Sequence, residues 1–262
     1  MSVRLVGVFA HPDDDTHGIG GLLALAPEIP ATLVIATSGE AGAIVDAAAA
    51  TRETLAEVRE REELAALAAL GRPDVEVRFL RHPDGGLAEV DREQLVGEIL
   101  GVLLEVRPDV VITFGPDGIT LHPDHVAAGQ AASEAFQRAR VAGAGDDGLG
   151  FRRLYHHGIP RSRIERMFAA RRAAGEEVDP EAPFMPRGVP DETVAVLVDT
   201  SSVLGRKVAA LRAHRSQPSA VRDLPEEFHA EAFAQETLVQ AWPPPATPVG
   251  RPAPSPFAGL EG

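Results

Sequence analysis

The sequence predicts an α/β protein built on a mostly parallel β-sheet, and three observations support this prediction. Short apolar runs of strand length alternate along the chain with longer segments rich in Ala, Leu, Glu and Arg, which are typical of helices. Polar clusters follow several of the apolar runs, where open α/β sheets place their ligands. The chain has 262 residues, 44% of them hydrophobic, which is enough to bury the core of one sizeable domain. We therefore expect a Rossmann-like α/β fold with right-handed crossovers.

The first strand is predicted over residues 3–10 and ends in His11 and three consecutive aspartates. A continuous apolar run is typical of a strand buried on both faces of a sheet. His11 and Asp14 are three residues apart, so one helical turn would aim both side chains at one point. Imidazole and carboxylate are ligands of zinc and of other divalent metals. The alternative is that the aspartates only cap the next helix, because Asp is favoured at helix N-termini.

A second cluster repeats this design. Residues 109–115 form a β-branched run, and His122-Pro123-Asp124-His125 follows after a short loop, before a helix predicted over residues 126–140. Taken alone, two histidines three residues apart can be an accident of the surface. Two such clusters at the carboxyl ends of predicted parallel strands indicate a shared metal site if the strands are neighbours. Three ligands then suffice: His11, Asp14 and one histidine of the second pair.

The other predicted elements continue the alternation of strand and helix. Strands are predicted over residues 31–36, 75–80, 154–159 and 193–199, and helices over residues 18–25, 51–70, 91–106, 162–174 and 203–214. Residues 141–150 form a loop rich in Gly and Asp, and residues 160–192 form a variable excursion, which is either a lid near the site or inert surface. We predict a single domain over residues 1–242 and a flexible, Pro-rich tail over residues 243–262.

Composition narrows the class of function. The formal charge of −14 disfavours binding to nucleic acid and to anionic membranes, so a small neutral or cationic substrate fits better. No apolar run approaches the roughly 20 residues that span a bilayer, and we expect neither a signal peptide nor membrane insertion. The chain has no cysteine, so a zinc site must use His and carboxylate ligands. A cytoplasmic location is expected, a homo-oligomer remains open, and the absence of a G-x-G-x-x-G motif disfavours a dinucleotide site.

The two clusters resemble the signatures of a known family. Residues 10–15, Ala-His-Pro-Asp-Asp-Asp, resemble the AHPDDE signature of the LmbE-like (PIG-L) zinc-dependent N-deacetylases, and His122-Pro123-Asp124-His125 is similar to their HPDH signature. Further similar stretches lie at residues 37–40, at residues 59–62 ahead of Ala66 and residues 70–71, and at residues 107–109 and 207–217. Asp15 departs from the family pattern, which usually has Glu there. The resemblance implies the three-layer, Rossmann-like α/β fold of that family.

The resemblance also implies a role for each residue. His11, Asp14 and His125 would bind Zn²⁺, or another divalent metal such as Fe²⁺ in the cell, leaving a position for water whose pKa zinc lowers to about 7. Asp13 would act as general base on that zinc-bound water. His122 would stabilise the tetrahedral oxyanion as imidazolium, or protonate the departing amine. Asp15 and Asp124 would orient the ligands without binding the metal.

Other candidates are weaker. Arg59 and Asp84 match family positions that hold sugar hydroxyls, but Arg59 also fits a charged helix face and Asp84 a turn before Gly85. His214 fits helix packing as well as catalysis. The histidines that receive no functional assignment are His17, His82, His156, His157 and His229.

The sequence therefore predicts a metal-dependent hydrolase that removes an N-acetyl or other small acyl group from an amino-sugar-like substrate, such as an N-acetylglucosaminyl conjugate. A deacetylase of the mycothiol or bacillithiol type, or a thiol-conjugate amidase, is an alternative. It is not favoured, because mycothiol-pathway relatives have Tyr where this chain has Thr120. The alternatives from other classes are an iron oxygenase, which also uses two His and one carboxylate, and a non-catalytic sugar-binding protein.

Overall fold

The computed structural model describes residues 3–143, 150–173, 175–245 and 250–260. The strands are β1 Leu5–Phe9, β2 Ala31–Thr37, β3 Glu76–His82, β4 Val110–Phe114, β5 Arg153–His157, β6 Ile159–Pro160, β7 Gly188–Val189, β8 Val194–Asp199 and β9 Gln235–Trp242. The α-helices are α1 Asp14–Leu25, α2 Leu55–Leu70, α3 Arg92–Val106, α4 Pro123–Gly143, α5 Arg161–Ala173, α6 Leu204–Ala213, α7 Ala220–Asp223 and α8 His229–Phe233.

Seven strands form the main sheet in the order β3-β2-β1-β4-β5-β9-β8. All the pairings from β3 to β5 are parallel, and only β9 runs antiparallel to its neighbours β5 and β8. The mostly parallel α/β fold is thus confirmed. Because β1 and β4 are hydrogen-bonded neighbours, the loops after these two strands open at the same edge of the sheet.

The central strands are mostly apolar because both of their faces are covered. Every residue of β1, β2 and β4 is buried, as expected for strands between two helical layers. Helices α1, α2 and α6 pack against one another, and α3 packs against α4. The main apolar cluster draws on the sheet and on both groups of helices. This rigid centre holds the carboxyl ends of β1 and β4 in place.

Sequence analysis missed the two-residue strand β7 and one long strand of the main sheet, β9, whose composition explains the omission. Polar residues occur at half of the positions of β9, which hides the alternation that marks a strand. Glu236 is nevertheless only 2% exposed, because its carboxylate accepts hydrogen bonds from the main-chain N–H groups of Gly21 and Leu22 and pairs with Lys207 at 2.5 Å. A buried, fully paired carboxylate is compatible with a strand interior, but sequence alone does not show the partners.

The structure also differs from the prediction of a flexible tail. Ala253 exchanges main-chain hydrogen bonds with Ala195 and Leu197 of β8. Phe257 and Leu260 are 3% and 7% exposed and belong to the main apolar cluster. Two apolar side chains in an otherwise small and proline-rich segment are enough to dock residues 250–260 on the sheet. The rest of the predicted tail beyond residue 245, namely residues 246–249 and 261–262, lies outside the described residues.

Helix boundaries differ from the sequence predictions by a few residues. α2 begins at Leu55 instead of residue 51, and α4 extends to Gly143. Most of the loop predicted over residues 141–150 therefore falls on residues 144–149, outside the described part. No helix within the described ranges is long and apolar enough to span a membrane.

Candidate metal centre

The loops after β1 and β4 bring the two histidine clusters together, as the sequence predicts for neighbouring strands. His11 Nδ1 lies 3.2 Å from His125 Nε2 and 3.4 Å from Asp14 Oδ2. His125 Nε2 lies 3.3 Å from the other oxygen of Asp14, Oδ1. Ligands about 2.0–2.2 Å from a tetrahedral zinc ion are separated by roughly 3.3–3.6 Å. The separations within this triangle of residues are therefore close to those between zinc ligands, and one ligand atom from each of the three residues lies within 4.8 Å of the other two.

Two carboxylates fix the orientation of His11. Its Nε2 lies 3.0 Å from Asp84 Oδ1 and 3.3 Å from Asp124 Oδ2. Asp124 is fully buried, and its oxygens also accept hydrogen bonds from the main-chain N–H groups of Gly85 and Leu87 at 2.7 and 3.0 Å. The proton of His11 is thus held on Nε2, which leaves the lone pair of Nδ1 for a metal.

His125 has the complementary tautomer. Its Nδ1 donates to the main-chain oxygen of Gly118 at 3.0 Å, so the lone pair of Nε2 faces the other ligands. The Phe114 ring stacks on the imidazole with centroids 4.3 Å apart and the planes 8° from parallel. One hydrogen bond and one stacked ring therefore fix the His125 side chain.

A second combination, His11 with His122 and Asp124, also brings possible ligand atoms within 4.8 Å of one another. The two Asp124 oxygens already accept two main-chain hydrogen bonds and contact the His11 Nε2 atom. The triangle of His11, Asp14 and His125 is therefore the better candidate for the metal.

The electrostatics of the site favour a cation. Burial lowers the pKa of His11, but hydrogen bonds to Asp124, Asp14 and Asp84 outweigh it and hold the pKa well above the usual value. Burial likewise opposes the ionisation of Asp14, yet His125 and His11 hold its pKa below the usual range. The pKa of Asp84 falls to about 2 against the effect of burial, because His11 lies beside it. A bound metal would supply the positive charge that stabilises these ionised carboxylates, in place of the proton on histidine. The residues present therefore fit zinc.

Asp13, the predicted general base, belongs to neither group of possible ligands. Its side chain is 21% exposed, and its Oδ2 accepts a hydrogen bond from Arg59 Nη2 at 3.2 Å. Asp13 has a φ of 104°, which is unusual for a residue other than glycine. The carboxylate therefore stands beside the ligands on a constrained turn.

The His122 ring lies close to the rings of His11 and His125. Its ring centroid lies 5.0 Å from that of His11 and 4.9 Å from that of His125. Its Nδ1 accepts the main-chain N–H of Asp124 at 3.2 Å, so the proton of the neutral ring is on Nε2. Burial, together with the neighbouring His11 and His125, lowers the pKa of His122. These features favour a neutral ring that donates from Nε2 over the imidazolium expected from the sequence.

The remaining predicted site residues have other surroundings. Asp15 is fully buried next to Glu63, and burial raises the pKa of Asp15 to about 7. Arg59 is 4% exposed and lies beneath the Asp13 turn, where a sugar hydroxyl has little access. Asp84 contacts His11 and accepts the Ala41 N–H at 2.8 Å. His214 is 2% exposed, and its Nε2 lies 3.4 Å from Thr16 Oγ1.

Two residues that sequence reasoning missed lie at the site. Phe184, in the excursion, is 59% exposed and its ring centroid lies 5.0 Å from that of His122. Glu63 is fully buried, and its Oε2 accepts the main-chain N–H of Asp13 at 3.1 Å. The sequence has no periodic signal around Phe184. Glu63 could have been found from its position one helical turn after Arg59.

Comparisons with known proteins identify the family of this chain. Residues 6–136 match the family model described as PIG-L, GlcNAc-PI de-N-acetylase. The 1D-myo-inositol 2-acetamido-2-deoxy-alpha-D-glucopyranoside deacetylase of Kineococcus radiotolerans is 33% identical over 279 residues, covering 92% of this chain and 75% of the relative.

Solved structures match the whole fold. The N,N'-diacetylchitobiose deacetylase of Pyrococcus horikoshii superposes with a TM-score of 0.60 at 19% identity, covering 98% of this chain and 88% of that one. The 4-carboxy-2-hydroxymuconate hydratase of Pseudomonas putida superposes with a TM-score of 0.61 at 20% identity, covering 93% and 97%. These two likenesses establish the fold alone. Because the same fold also occurs in a hydratase, the chemistry has to be argued from the site.

Proposed function

Because this chain belongs to the PIG-L family, we propose that it is a zinc-dependent N-deacetylase acting on an N-acetylated amino-sugar conjugate. The observation that supports this most directly is the convergence of His11, Asp14 and His125, whose side-chain atoms approach one another to 3.2–3.4 Å, with the Asp13 carboxylate, which is not part of this group, next to Asp14 in the chain. A metal-holding triangle without the adjacent Asp13 would fit a binding protein equally well. The adjacent carboxylate is the group that hydrolysis requires.

Each residue of the site has its own role in hydrolysis of the amide bond. A zinc ion held by His11, Asp14 and His125 would polarise the amide carbonyl and make the attacking water more acidic. Asp13 accepts a proton from that water as its oxygen bonds to the carbonyl carbon. His122 donates a hydrogen bond from Nε2 to the carbonyl oxygen as it becomes negative. The C–N bond then breaks, and the proton taken by Asp13 passes to the amine nitrogen, which gives acetate and a free amine.

The substrate class follows from the relatives and from the outer wall of the site. The Kineococcus radiotolerans relative is named for an inositol glycoside of N-acetylglucosamine, so this conjugate is the first one to test. Phe184 presents an exposed aromatic face next to His122. Such a face suits the apolar face of a sugar ring.

The test is incubation of the zinc-loaded protein with a panel of N-acetylglucosaminyl conjugates, with release of free amine and of acetate both measured. Equimolar amine and acetate are expected from at least one conjugate. Binding of the conjugates without release of amine would identify a sugar-binding protein. Turnover that consumes oxygen and depends on iron would instead identify an oxygenase.

A further inference from the structure

The turn that presents Asp13 is strained and has to be held. Asp13 has φ 104° and ψ −26° at the start of α1, and its side chain makes no capping hydrogen bond to the helix. A residue other than glycine in such a sparsely populated region is strained, and this conformation persists only where neighbouring groups determine it. The Asp13 main-chain oxygen accepts the first helical hydrogen bond, from His17 N–H at 3.0 Å. The other groups of the turn need partners outside α1.

Two side chains of α2 supply those partners. Arg59 Nη2 donates to the Pro12 main-chain oxygen at 2.6 Å and to Asp13 Oδ2 at 3.2 Å. Glu63 Oε2 accepts the Asp13 main-chain N–H at 3.1 Å. Residues four apart in a helix lie on one face, so a single face of α2 contacts the turn with a guanidinium group and a carboxyl group one turn apart.

The loop after β2 provides a further hydrogen-bond partner for Arg59. Arg59 Nη1 donates to the Gly39 main-chain oxygen at 2.9 Å. Gly39 has a φ of 68°, and a Cβ atom at this position would overlap the Arg59 guanidinium. The similarity of residues 37–40 to the family signature therefore has a physical explanation in this chain: the backbone passes too close to the guanidinium for any side chain at position 39.

We propose that Arg59 and Glu63 are positioning residues for Asp13, a role that rests on the proposed function. Neither side chain is placed to contact substrate, since Arg59 is 4% exposed and Glu63 is fully buried. Arg59 fixes Asp13 Oδ2 and the preceding carbonyl, while Glu63 fixes the Asp13 N–H. This pair of residues, the Asp13 clamp, holds the Asp13 carboxylate beside the metal ligands. Its other oxygen, Oδ1, is left to accept the proton.

The test compares Arg59→Met and Glu63→Leu with matched controls. Arg72 is likewise a buried arginine, 1% exposed, and it binds the main-chain oxygens of Leu23, Ala26 and Ile29. Glu62, next to Glu63 on α2, binds Ser216. Arg72→Met and Glu62→Gln therefore remove comparable buried charges that do not contact the Asp13 turn.

The expected result is a loss of kcat with zinc content preserved. Arg59→Met and Glu63→Leu should lower kcat by about 10–100-fold, because small displacements of a catalytic group have effects of that size, and KM should change less than about threefold. Glu63→Gln keeps an acceptor for the Asp13 N–H and should recover most of kcat. Arg72→Met and Glu62→Gln should retain the wild-type kcat per folded molecule, whatever their melting temperatures.

Two kinetic outcomes would overturn the proposal. A higher KM at unchanged kcat in Arg59→Met would make Arg59 a sugar ligand. An equal loss of kcat in Arg72→Met would attribute the effect to general destabilisation. If the wild type deacetylates none of the conjugates, the proposed function fails, and crystal structures of Arg59→Met and Glu63→Leu still decide the clamp. Asp13 should adopt a different φ in these variants. A φ that stays near 104° in both variants would refute the positioning role of Arg59 and Glu63.

Discussion

The inner and outer parts of the candidate site are held in different ways. The inner part, His11 with Asp14, Asp124 and His125, is largely buried and cross-linked by hydrogen bonds from three loops. The outer part, His122 with Leu121 and Phe184, has main-chain hydrogen bonds and ring contacts, and Leu121 and Phe184 are 53% and 59% exposed. This difference suits the inner part to a rigid metal site and the outer part to a wall that can adapt to the substrate.

The strongest test of the inner part is His11→Ala. Its loss removes one ligand and leaves Asp84 and Asp124 without their shared partner. We expect zinc content well below one ion per chain and no measurable deacetylation, because three protein ligands are needed at a catalytic zinc site. Elemental analysis of the purified variant measures the zinc. Full zinc occupancy in this variant would mean that the metal binds elsewhere.

Asp13→Asn separates catalysis from metal binding. Asn tolerates a left-handed backbone and can still accept the Arg59 hydrogen bond, so the turn should persist. The amide cannot accept the proton of water, and we expect the rate to fall by roughly 10²–10⁴-fold with zinc content unchanged. Steady-state amine release and elemental analysis on one sample test both parts. A variant that turns over normally would remove Asp13 from the mechanism.

Sequence patterns predicted the inner part far better than the outer part. His11, Asp14 and His125 follow strands whose apolar runs are visible in the sequence, and parallel pairing of β1 with β4 brings these residues together. The pattern did not reveal the contact between Glu63 and Asp13, because Glu63 binds a main-chain N–H group, and every residue other than proline has one. Phe184 was missed because the excursion has no periodicity, and its contact with His122 depends on tertiary packing alone.

The outer part should respond through substrate affinity. Phe184→Ala removes an exposed ring beside His122, and we expect KM to rise by about 2–10-fold, the range of one aromatic contact, while zinc content and melting temperature stay unchanged. Phe228→Ala is the matched control, since Phe228 is also an exposed aromatic residue, at 46%. Equal KM values for the wild type and the Phe184 variant on every conjugate would assign the excursion to inert surface.

The last prediction concerns stability beneath the inner part. Burial lowers the pKa of His214 to about 4, against an ordinary value of 6.5. Between these two values the unfolded chain binds the proton and the folded chain does not, so folding loses stability as pH falls. The full contribution is about 3 kcal/mol, present above pH 6.5 and lost by about pH 4. Urea unfolding of the wild type and of His214→Asn at pH 7.5, 5.5 and 4.5 measures it, because other titrating groups are common to both proteins. The wild type should lose more stability than the variant over this range, and parallel losses would show that His214 is protonated in the folded protein.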